Sequence, residues 1–264
     1  MGQTRSPLGV VELELVAARG WRGLEEDHLG DWRLRAGGGF TGRANSALVV
    51  GDPGMPLQEA VDAVSRWYGE RRLQPRAMLP GAQARAADAA FAAAGWQHGE
   101  DVLVLTAPIA APQPSGVVVG RVGQVELART PDDAWLAGYR YRGAELPPVA
   151  GKVLTNAEDV VFASVRSAPS PAPLAAVARG ALTDGWLGVT AVTVAEEHRR
   201  RGLATTVMAA LQRWAAGRGA EWVYLQVAAD NAPARALYRR AGFIEHHRYH
   251  YRLGPQPAPA PAPA

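Results

Sequence analysis

The chain has 264 residues, which allows one large domain or two small ones, and 48% of them are hydrophobic, enough to form a core. A net charge of only +3 disfavours a general nucleic-acid-binding protein, because such proteins concentrate basic residues. The sequence contains no cysteine, which excludes disulfides, thiolate nucleophiles and cysteine-ligated zinc. No apolar run approaches the roughly 18 residues of a membrane helix, and the first residues carry no signal-peptide pattern. We therefore expect a cytoplasmic protein with no membrane partner.

Two proline-rich stretches divide the chain. The segment APIAAPQPSG, residues 107–116, has the composition of a domain linker. The segment GPQPAPAPAPA, residues 254–264, has no large side chain to bury and is predicted to be extended. The sequence therefore predicts a first domain at 1–108, a linker at 109–116, a second domain at 117–253 and a disordered tail at 254–264.

An internal repeat relates the two predicted domains. Trp67 and Trp214 are 147 positions apart, and so are Gly95 and Gly242. The same offset pairs three further identities: Arg66 with Arg213, Arg71 with Arg218, and Ala89 with Ala236. One shared register predicts two copies of one unit. The alternative is that an alanine- and arginine-rich composition produces the repeat by accident, and that residues 1–108 form another kind of α/β cap.

The second predicted domain begins with strands. A strand at GQVELART, residues 123–130, is followed by a helix whose predicted start carries Thr130 as N-cap, Pro131, Asp132 and Asp133. Three further strands are separated by turn sequences: VVFASVRS (160–167), LAAVARGAL (174–182) and LGVTAVTV (187–194). The short connections between them predict an antiparallel meander.

From Gly202 onward the spacing of apolar residues becomes helical. The predicted helix ends at Gly217 and Gly219, and one of its faces carries Leu203, Val207, Leu211 and Trp214. The remaining pattern predicts a strand at WVYLQV (222–227), a short helix within DNAPARALYRRAGF (230–243) and a closing strand at FIEHHRYHYRL (243–253).

The start of the helix at Gly202 has the features of a phosphate-binding site. Arg199, Arg200 and Arg201 precede Gly202 directly, after the strand VTAVTV. A helix N-terminus offers unpaired backbone N–H groups and the positive end of the helix dipole, and a small residue lets an anion approach. The stretch has neither the GxxxxGK[ST] pattern of a P-loop nor the GxGxxG pattern of dinucleotide-binding folds. The alternative is that a glycine after a basic run is only a turn.

Two motifs carry a resemblance to a known family. RRRGLA at 199–204 resembles the Q/R-x-x-G-x-G/A pyrophosphate loop of the GNAT superfamily of N-acetyltransferases, and AADNAPARALYRRAGF at 228–243 resembles its later motif. The resemblance covers about the second half of the chain. It implies an α/β (α+β) fold of two GNAT-like domains, each a mixed, mostly antiparallel sheet flanked by helices.

The resemblance also implies acetyl-CoA as co-substrate. Loop amides would bind its pyrophosphate, and the preceding strand would pair through its backbone with the pantetheine arm, where that strand splays from the next one. The implied cofactor-binding residues are Val192, Thr193, Val194, Arg199, Arg200, Arg201, Gly202, Leu203, Ala204, Thr205 and Asn231. For Asn231 the alternative is a role as N-cap, alone or in addition to cofactor contact.

The resemblance further implies that Tyr238 lies near the thioester sulfur as general acid. Direct transfer requires a neutral amine as nucleophile and a proton for the leaving thiolate. The alternative is that Tyr238 is a packed aromatic residue of its helix.

Neither a general base nor a metal site is assigned. The candidate bases can equally be solvated surface charges: Glu196, Glu197, Glu158 and Asp159. Three histidines near the C-terminus suggest a metal, but strand alternation places His247 on the opposite face from His246 and His250. No carboxylate falls at a ligand spacing, and we expect no metal.

The first copy has lost the chemistry of the second. The offset replaces Arg199, Gly202, Asn231 and Tyr238 with Asp52, Met55, Ala84 and Phe91. Residues 1–108 therefore resemble a degenerate GNAT domain without a cofactor site. Trp21, Trp32 and TGRANS (41–46) are interpreted as core and turn residues rather than ligands.

The leading hypothesis is an acetyl-CoA-dependent N-acetyltransferase with catalysis in residues 117–253. Its acceptor is a small-molecule or protein amine, and it acts as a monomer or homodimer. The alternative is a non-catalytic acyl-CoA sensor or scaffold that uses the same site. Nucleic-acid binding through the arginines is a third and disfavoured hypothesis.

Overall fold

A computed structural model describes residues 6–109, 125–141, 143–167 and 173–256. Most of the predicted linker and of the predicted tail, residues 110–116 and 257–264, lies outside the described residues. The described residues form two compact units. Unit 1 comprises the described residues within 1–21, 104–227 and 231–246, and unit 2 comprises those within 22–103, 228–230 and 247–264.

The described part of the chain contains both helices and strands. The helices are α1 (Val10–Gly20), α2 (Leu57–Glu70), α3 (Arg85–Ala93), α4 (Asp133–Gly138), α5 (Ala150–Thr155), α6 (Leu203–Ala216) and α7 (Ala232–Arg240). The strands are β1 (Glu25–Leu29), β2 (Trp32–Ala36), β3 (Ala47–Leu48), β4 (Arg76–Pro80), β5 (Gln97–Pro108), β6 (Glu126–Ala128), β7 (Asp159–Arg166), β8 (Leu174–Thr183), β9 (Trp186–Val194), β10 (Trp222–Ala228) and β11 (Ile244–Leu253).

The boundaries of the units differ from the predicted boundary at residue 108. Helix α1 lies in unit 1, together with strands from the second half of the chain, and residues 247–253 of β11 lie in unit 2. The physical reason is packing: α1 lies against β8 and β9, and β11 pairs with β4, with Tyr251 opposite Met78. Each unit is therefore built from segments that are far apart in sequence.

Unit 1 is a sheet covered by helices on both faces. Strands β6, β7, β8 and β9 pair antiparallel, and β10 joins β9 in parallel. The predicted meander is present as β7, β8 and β9. A Cβ on Gly180 would lie 3.1 Å from Leu211 of α6, whereas a Cβ on Gly20 of α1 would lie 3.6 Å from the Cβ of Ala181. Because neighbouring strand residues point to opposite faces, α1 and α6 cover opposite sides of this sheet.

The predicted N-cap of α4 is wrong by two residues. The cap is Asp132 rather than Thr130, since its Oδ1 accepts a hydrogen bond of 2.7 Å from the Trp135 backbone N–H. Trp135 is buried and its Nε1 donates to the Ala163 carbonyl at 3.1 Å. This anchor fixes where the helix starts.

Unit 2 is also a mixed sheet with helices. Strands β1, β2 and β3 pair antiparallel in sequence, β3 joins β4 in parallel, and β4 joins β11 antiparallel. Phe91 of α3 anchors the core, with its ring centroid 5.8 Å from that of Trp32 and 4.6 Å from that of Trp96. The core residues Trp32 and Phe91 are both almost fully buried.

The helix–strand–helix segment α2-β4-α3 of unit 2 matches the segment α6-β10-α7 of unit 1. Helices α2 and α6 both have 14 residues, and α3 and α7 both have 9. The glycines that follow α3 and α7, Gly95 and Gly242, both adopt left-handed φ values, +80° and +87°. The predicted fold class, a mixed and mostly antiparallel sheet flanked by helices, is confirmed. No helix in the described ranges is long and apolar enough to cross a membrane.

Candidate functional site

Strand β9 is paired along its full length on one edge only. Its parallel pairing with β10 ends at Val189, which lies opposite Leu225. Its antiparallel pairing with β8 continues to Val194. The second half of β9, including Val192 and Thr193, therefore presents backbone N–H and C=O groups along an edge that β10 does not pair with. This is the edge that the resemblance assigns to the pantetheine arm.

A β-bulge separates the two halves of β9. Ala191 has a φ of +55°, and the register with β8 shifts between Val177 and Arg179. A bulge bends the strand and increases its twist. Residues 186–190 are buried, whereas 191–194 are half-buried. The backbone itself thus directs β9 away from β10 at the start of the candidate site.

Two residues of the loop between β9 and α6 adopt left-handed backbone conformations. Arg200 has a φ of +62°, and Gly202 has a φ of +80° at the helix N-cap. A Cβ on Gly202 would meet no atom within 4 Å, so the space above the loop is open. The helix ladder starts with a 3.0 Å bond from the Thr206 N–H to the Gly202 carbonyl. The backbone N–H groups before Thr206 have no helical carbonyl to donate to. These are the amides of Gly202, Leu203, Ala204 and Thr205.

Positive charge surrounds these amides. Arg199, Arg200 and Arg201 are exposed. Arg199 donates a long 3.5 Å hydrogen bond from Nε to the Val194 carbonyl, and its Nη1 lies 4.0 Å from Glu196 Oε1. An exposed ion pair of this length is weak, so an incoming anion can replace it. Loop amides, a helix dipole and arginines together fit a phosphate group.

The second motif starts at the same edge of the sheet. Strands β9 and β10 are parallel neighbours, so their carboxyl ends lie at one edge, where α6 follows β9 and α7 follows β10. Asn231 caps α7, because its Oδ1 accepts a 3.2 Å hydrogen bond from the Ala234 N–H. Asn231 is exposed. The N-cap interpretation is therefore correct, and it leaves cofactor contact by the same side chain open as a proposal.

Tyr238 is a packed aromatic residue in α7. It is 9% exposed, and its ring centroid lies 5.9 Å from that of Phe243. Burial raises the pKa of its phenol above the ordinary value of 10.0. Within the described part of the chain, its hydroxyl makes no hydrogen bond. At neutral pH Tyr238 is therefore a neutral phenol that still carries its proton.

Sequence reasoning missed a fully buried arginine beside the bulge. Arg179 of β8 donates from Nε to the Leu154 carbonyl at 2.6 Å and from Nη1 to the Gly20 carbonyl at 3.0 Å. Its Nη1 also lies 3.5 Å from Thr190 Oγ1, next to the bulge, and its guanidinium lies 4.8 Å from the Trp21 ring centroid. Arg179 thus connects α5, the end of α1 and the strand that opens the site.

A buried glutamate lies on the helix that covers this face. Glu14 of α1 is 1% exposed, and α1 packs against β8 and β9. Each residue interrupts an apolar stretch of the sequence, Arg179 in LAAVARGAL and Glu14 in VVELELV. That interruption is the signal from which a buried charge could have been predicted.

The corresponding loop of unit 2 is filled by its own carboxylates. The Asp52 N–H donates to Asp31 Oδ2 at 2.8 Å, and the Gly54 N–H donates to Asp52 Oδ1 at 2.8 Å. Pro56 occupies the N-cap of α2 and has no N–H to offer. These contacts place negative charge in the loop before α2, and Met55 is 36% exposed beside them.

Two of the histidines near the C-terminus make hydrogen bonds within the protein. His246 Nε2 lies 2.9 Å from the Leu8 carbonyl, and His250 Nε2 lies 2.8 Å from Asp88 Oδ1. Across the described ranges, no group of three or more histidine, aspartate or glutamate residues has the arrangement of a metal site.

Comparisons with known proteins agree with the two motifs. The family model described as "Probable histone acetyltransferase Rv0428c C-terminal" matches residues 9–252. The chain is 32% identical over 251 residues to the probable histone acetyltransferase Rv0428c of Mycobacterium tuberculosis, covering 90% of this chain and 72% of that protein. It is 27% identical over 258 residues to the uncharacterized N-acetyltransferase YobR of Bacillus subtilis, covering 92% of this chain and 97% of that protein.

The fold agrees as well. A solved structure described as a tandem GNAT protein from the clavulanic acid biosynthesis pathway has a TM-score of 0.59 at 16% identity, covering 84% of this chain and 77% of that one. The family model spans nearly the whole chain, and its N-acetyltransferase relatives match over most of their own length. The chain belongs to the GNAT superfamily of N-acetyltransferases, within the family of the Rv0428c C-terminal region, and is an acetyltransferase.

Proposed function

We propose that unit 1 transfers the acetyl group of acetyl-CoA directly to a primary amine. The observation that carries the proposal is the continuous path from the half of β9 that β10 does not pair with to the open, arginine-flanked N-terminus of α6. A strand edge, free loop amides and positive charge in this order fit an amide-containing arm that ends in a pyrophosphate. Acetyl-CoA would supply the activated thioester.

Different residues of unit 1 bind different parts of acetyl-CoA in this proposal. The backbone of Val192, Thr193 and Val194 pairs with the pantetheine amides, while the amides from Gly202 to Thr205 and the arginines at 199–201 hold the pyrophosphate. Asn231 contacts the same co-substrate from the start of α7. Tyr238 donates its proton to the leaving thiolate, and burial suits it to this role because the raised pKa keeps the phenol protonated.

The amine must lose a proton, and the base stays unassigned. Glu196 and Glu197 are exposed beside the loop. Asp159 is a weaker candidate, because its Oδ2 already lies 3.7 Å from Arg218 Nε. A water chain that leads to a carboxylate would serve the same purpose.

We further propose that unit 2 is a degenerate GNAT copy that does not bind CoA. Its matching helix–strand–helix segment supports common descent, and the carboxylates of Asp31 and Asp52 occupy the loop amides that a phosphate would need. Its counterpart of Tyr238 is Phe91, which has no proton to donate.

Release of free thiol from acetyl-CoA with a panel of amines tests the enzyme proposal. The panel contains polyamines, aminoglycosides, amino acids and a basic peptide, and acetyl transfer to the amine is verified by mass spectrometry. We expect amine-dependent thiol release from the wild-type protein. Thermal stabilisation by CoA without thiol release for any amine would favour the non-catalytic sensor instead.

A further inference from the structure

Unit 2 contains a group of arginines that the proposed reaction does not use. Arg35 lies on β2, Arg76 starts β4, and Arg43 starts the short 3-10 turn Arg43–Asn45. With Tyr251 of β11 they form what we call the arginine cluster. Arg35 is 3% exposed and Tyr251 is 5% exposed, so the centre of the cluster is inside the protein.

The strand register brings these side chains to one face of the sheet. Tyr251 is the register partner of Met78, and Arg35 Nη2 lies 3.7 Å from Met78 Sδ. The guanidinium carbon of Arg76 lies 5.3 Å from the Tyr251 ring centroid. Burial raises the pKa of the Tyr251 phenol, whereas a hydrogen bond with the Tyr249 side chain and the charges of Arg43, Arg35 and Arg76 act to lower it.

The positive charges of Arg35 and Arg76 are not neutralised. In the described part of the chain, Arg35 donates only to neutral acceptors, from Nε to the Ser46 carbonyl at 3.1 Å, from Nη2 to Ser46 Oγ at 3.1 Å and to the Met78 sulfur. The Nε of Arg76 is buried and has no hydrogen-bond partner. No described carboxylate forms an ion pair with either residue. A buried charge without a counter-charge is unfavourable, and neighbouring guanidinium groups also repel each other.

A preorganised loop brings the third arginine to this place. Asn45 Oδ1 accepts hydrogen bonds from the N–H groups of Gly37 at 2.8 Å and Gly39 at 2.9 Å, and its Nδ2 donates to the Thr41 carbonyl at 2.8 Å. A Cβ on Gly42 would lie 2.5 Å from Arg76 Nη1 and 3.2 Å from the Tyr251 hydroxyl. A larger residue at this position would therefore have to displace the end of the Arg76 side chain. The segment TGRANS is a turn, as predicted, and Gly42, next to Arg43, brings the backbone of this turn close to Arg76 and Tyr251.

We propose that the arginine cluster binds an oxyanion, the carboxylate or phosphate group of a small molecule. Guanidinium groups match both anions through paired N–H donors, and the Tyr251 hydroxyl adds a further donor. An oxyanion would supply the counter-charge that Arg35 and Arg76 lack among the described residues. The site belongs to unit 2 alone, so it holds whether or not unit 1 binds acetyl-CoA.

Thermal unfolding in different anions tests the proposal. Inorganic phosphate and succinate are compared with sodium chloride at equal ionic strength, for the wild-type protein, Arg76→Met and Arg66→Gln. Arg76→Met keeps an aliphatic stem and removes the charge, whereas Arg66 is an exposed arginine of α2 that serves as the matched control. We expect phosphate or succinate to stabilise the wild type and Arg66→Gln beyond chloride, with an affinity at least about tenfold weaker in Arg76→Met. Whichever of the two anions binds more tightly identifies the ligand group.

Two further variants separate this site from the loop at Gly202. Gly202→Glu should remove phosphate binding at the start of α6 and leave the arginine cluster unchanged. If the anion binds at the cluster, the stabilisation by oxyanions should therefore persist in this variant. Arg43→Gln tests the cluster if Arg76→Met does not fold, and it should weaken binding in the same way. A crystal grown with selenate would locate the anion by anomalous scattering, within hydrogen-bond distance of an arginine of the cluster.

The absence of any stabilisation beyond chloride in the wild type would overturn the proposal. Equal stabilisation of the wild type and of both cluster variants would overturn it too, because the anion would then act elsewhere. Without oxyanion, we expect Arg76→Met to unfold no earlier than the wild type, since it removes an unneutralised charge. A large destabilisation by this variant, with no anion response in the wild type, would make Arg76 a structural residue.

Discussion

Replacing Gly202 with glutamate is expected to abolish CoA binding and to leave unit 1 folded. A Cβ at this position meets open space, so the substitution introduces no clash in the free protein. The φ of +80° makes any residue other than glycine strained, by about 1–2 kcal/mol. For a protein of this size that strain lowers Tm by on the order of 2–4 °C per kcal/mol.

The effect on affinity should be much larger. The new carboxylate would lie where the pyrophosphate approaches the amides, and two unit charges about 5 Å apart repel by about 3 kcal/mol at an effective dielectric constant of about 20. Since each 1.4 kcal/mol is about tenfold in affinity, we expect a loss on the order of 10²-fold or more. Gly202→Ala carries the same backbone strain without the charge and should lose less.

Gly219 provides a matched control at the other end of α6. It has a φ of +82°, and a Cβ there also meets no atom within 4 Å. Gly219→Glu should therefore lower Tm by a similar amount and leave CoA affinity unchanged. Isothermal titration calorimetry and thermal unfolding measure both quantities. The assignment of the loop is refuted if folded Gly202→Glu binds CoA as tightly as the wild type, or if Gly219→Glu loses as much affinity.

Three further predictions follow from the two units. Tyr238→Phe keeps the packed ring and removes the proton, so kcat should fall about 10²–10⁴-fold with little change in CoA affinity; undiminished turnover would make Tyr238 structural. Burial alone would raise the pKa of Asp88, but hydrogen bonds from Arg252 and His250 lower it below its ordinary value of 3.8. The stability that this lowered pKa contributes is present above the unfolded-state value and is lost as the pH falls through the folded-state value, below about pH 4; Asp88→Asn should lose this acid dependence, and an unaltered acid-unfolding curve would argue against it. CoA titration should give one site per chain, whereas a second site that survives in Gly202→Glu would mean that unit 2 is functional.

The sequence predicted the second half of the fold well because its signals there are local. The meander, α6, β10 and α7 follow from alternation, helical periodicity and glycine stops, and each lies within a few residues of its predicted position. The candidate phosphate-binding loop was equally easy to identify, because the arginines and Gly202 form a continuous motif. The N-cap at Asp132 was misplaced because Thr130 and Asp132 are both good caps, and only the burial of Trp135 decides between them.

What the sequence could not predict depends on contacts between distant segments. VVELELV alternates like a strand but forms α1, where packing against β8 and β9 overrides the local pattern. The role of Arg179 depends on acceptors supplied by Leu154 and Gly20, which lie 25 and 159 residues away. The carboxylates that fill the loop of unit 2 likewise become visible only when β1 and β2 bring Asp31 beside Asp52.

The assignment of α1 to unit 1 and of residues 247–253 to unit 2 has a consequence for the order of folding during synthesis. Proteins of several domains commonly fold one domain after another as the chain leaves the ribosome. Here β4 of unit 2 pairs with β3 on one edge, but its other edge stays open until β11 has been made. The apolar side of α1 is covered only after β8 has been made, more than 150 residues later. The loops that must close are long, and their closure entropy has to be overcome before the contacts contribute. Neither unit can be completed before residues 244–253 emerge. A nascent chain stalled before Leu174, where β8 begins, should expose α1 to protease, whereas release of the full chain should protect both units.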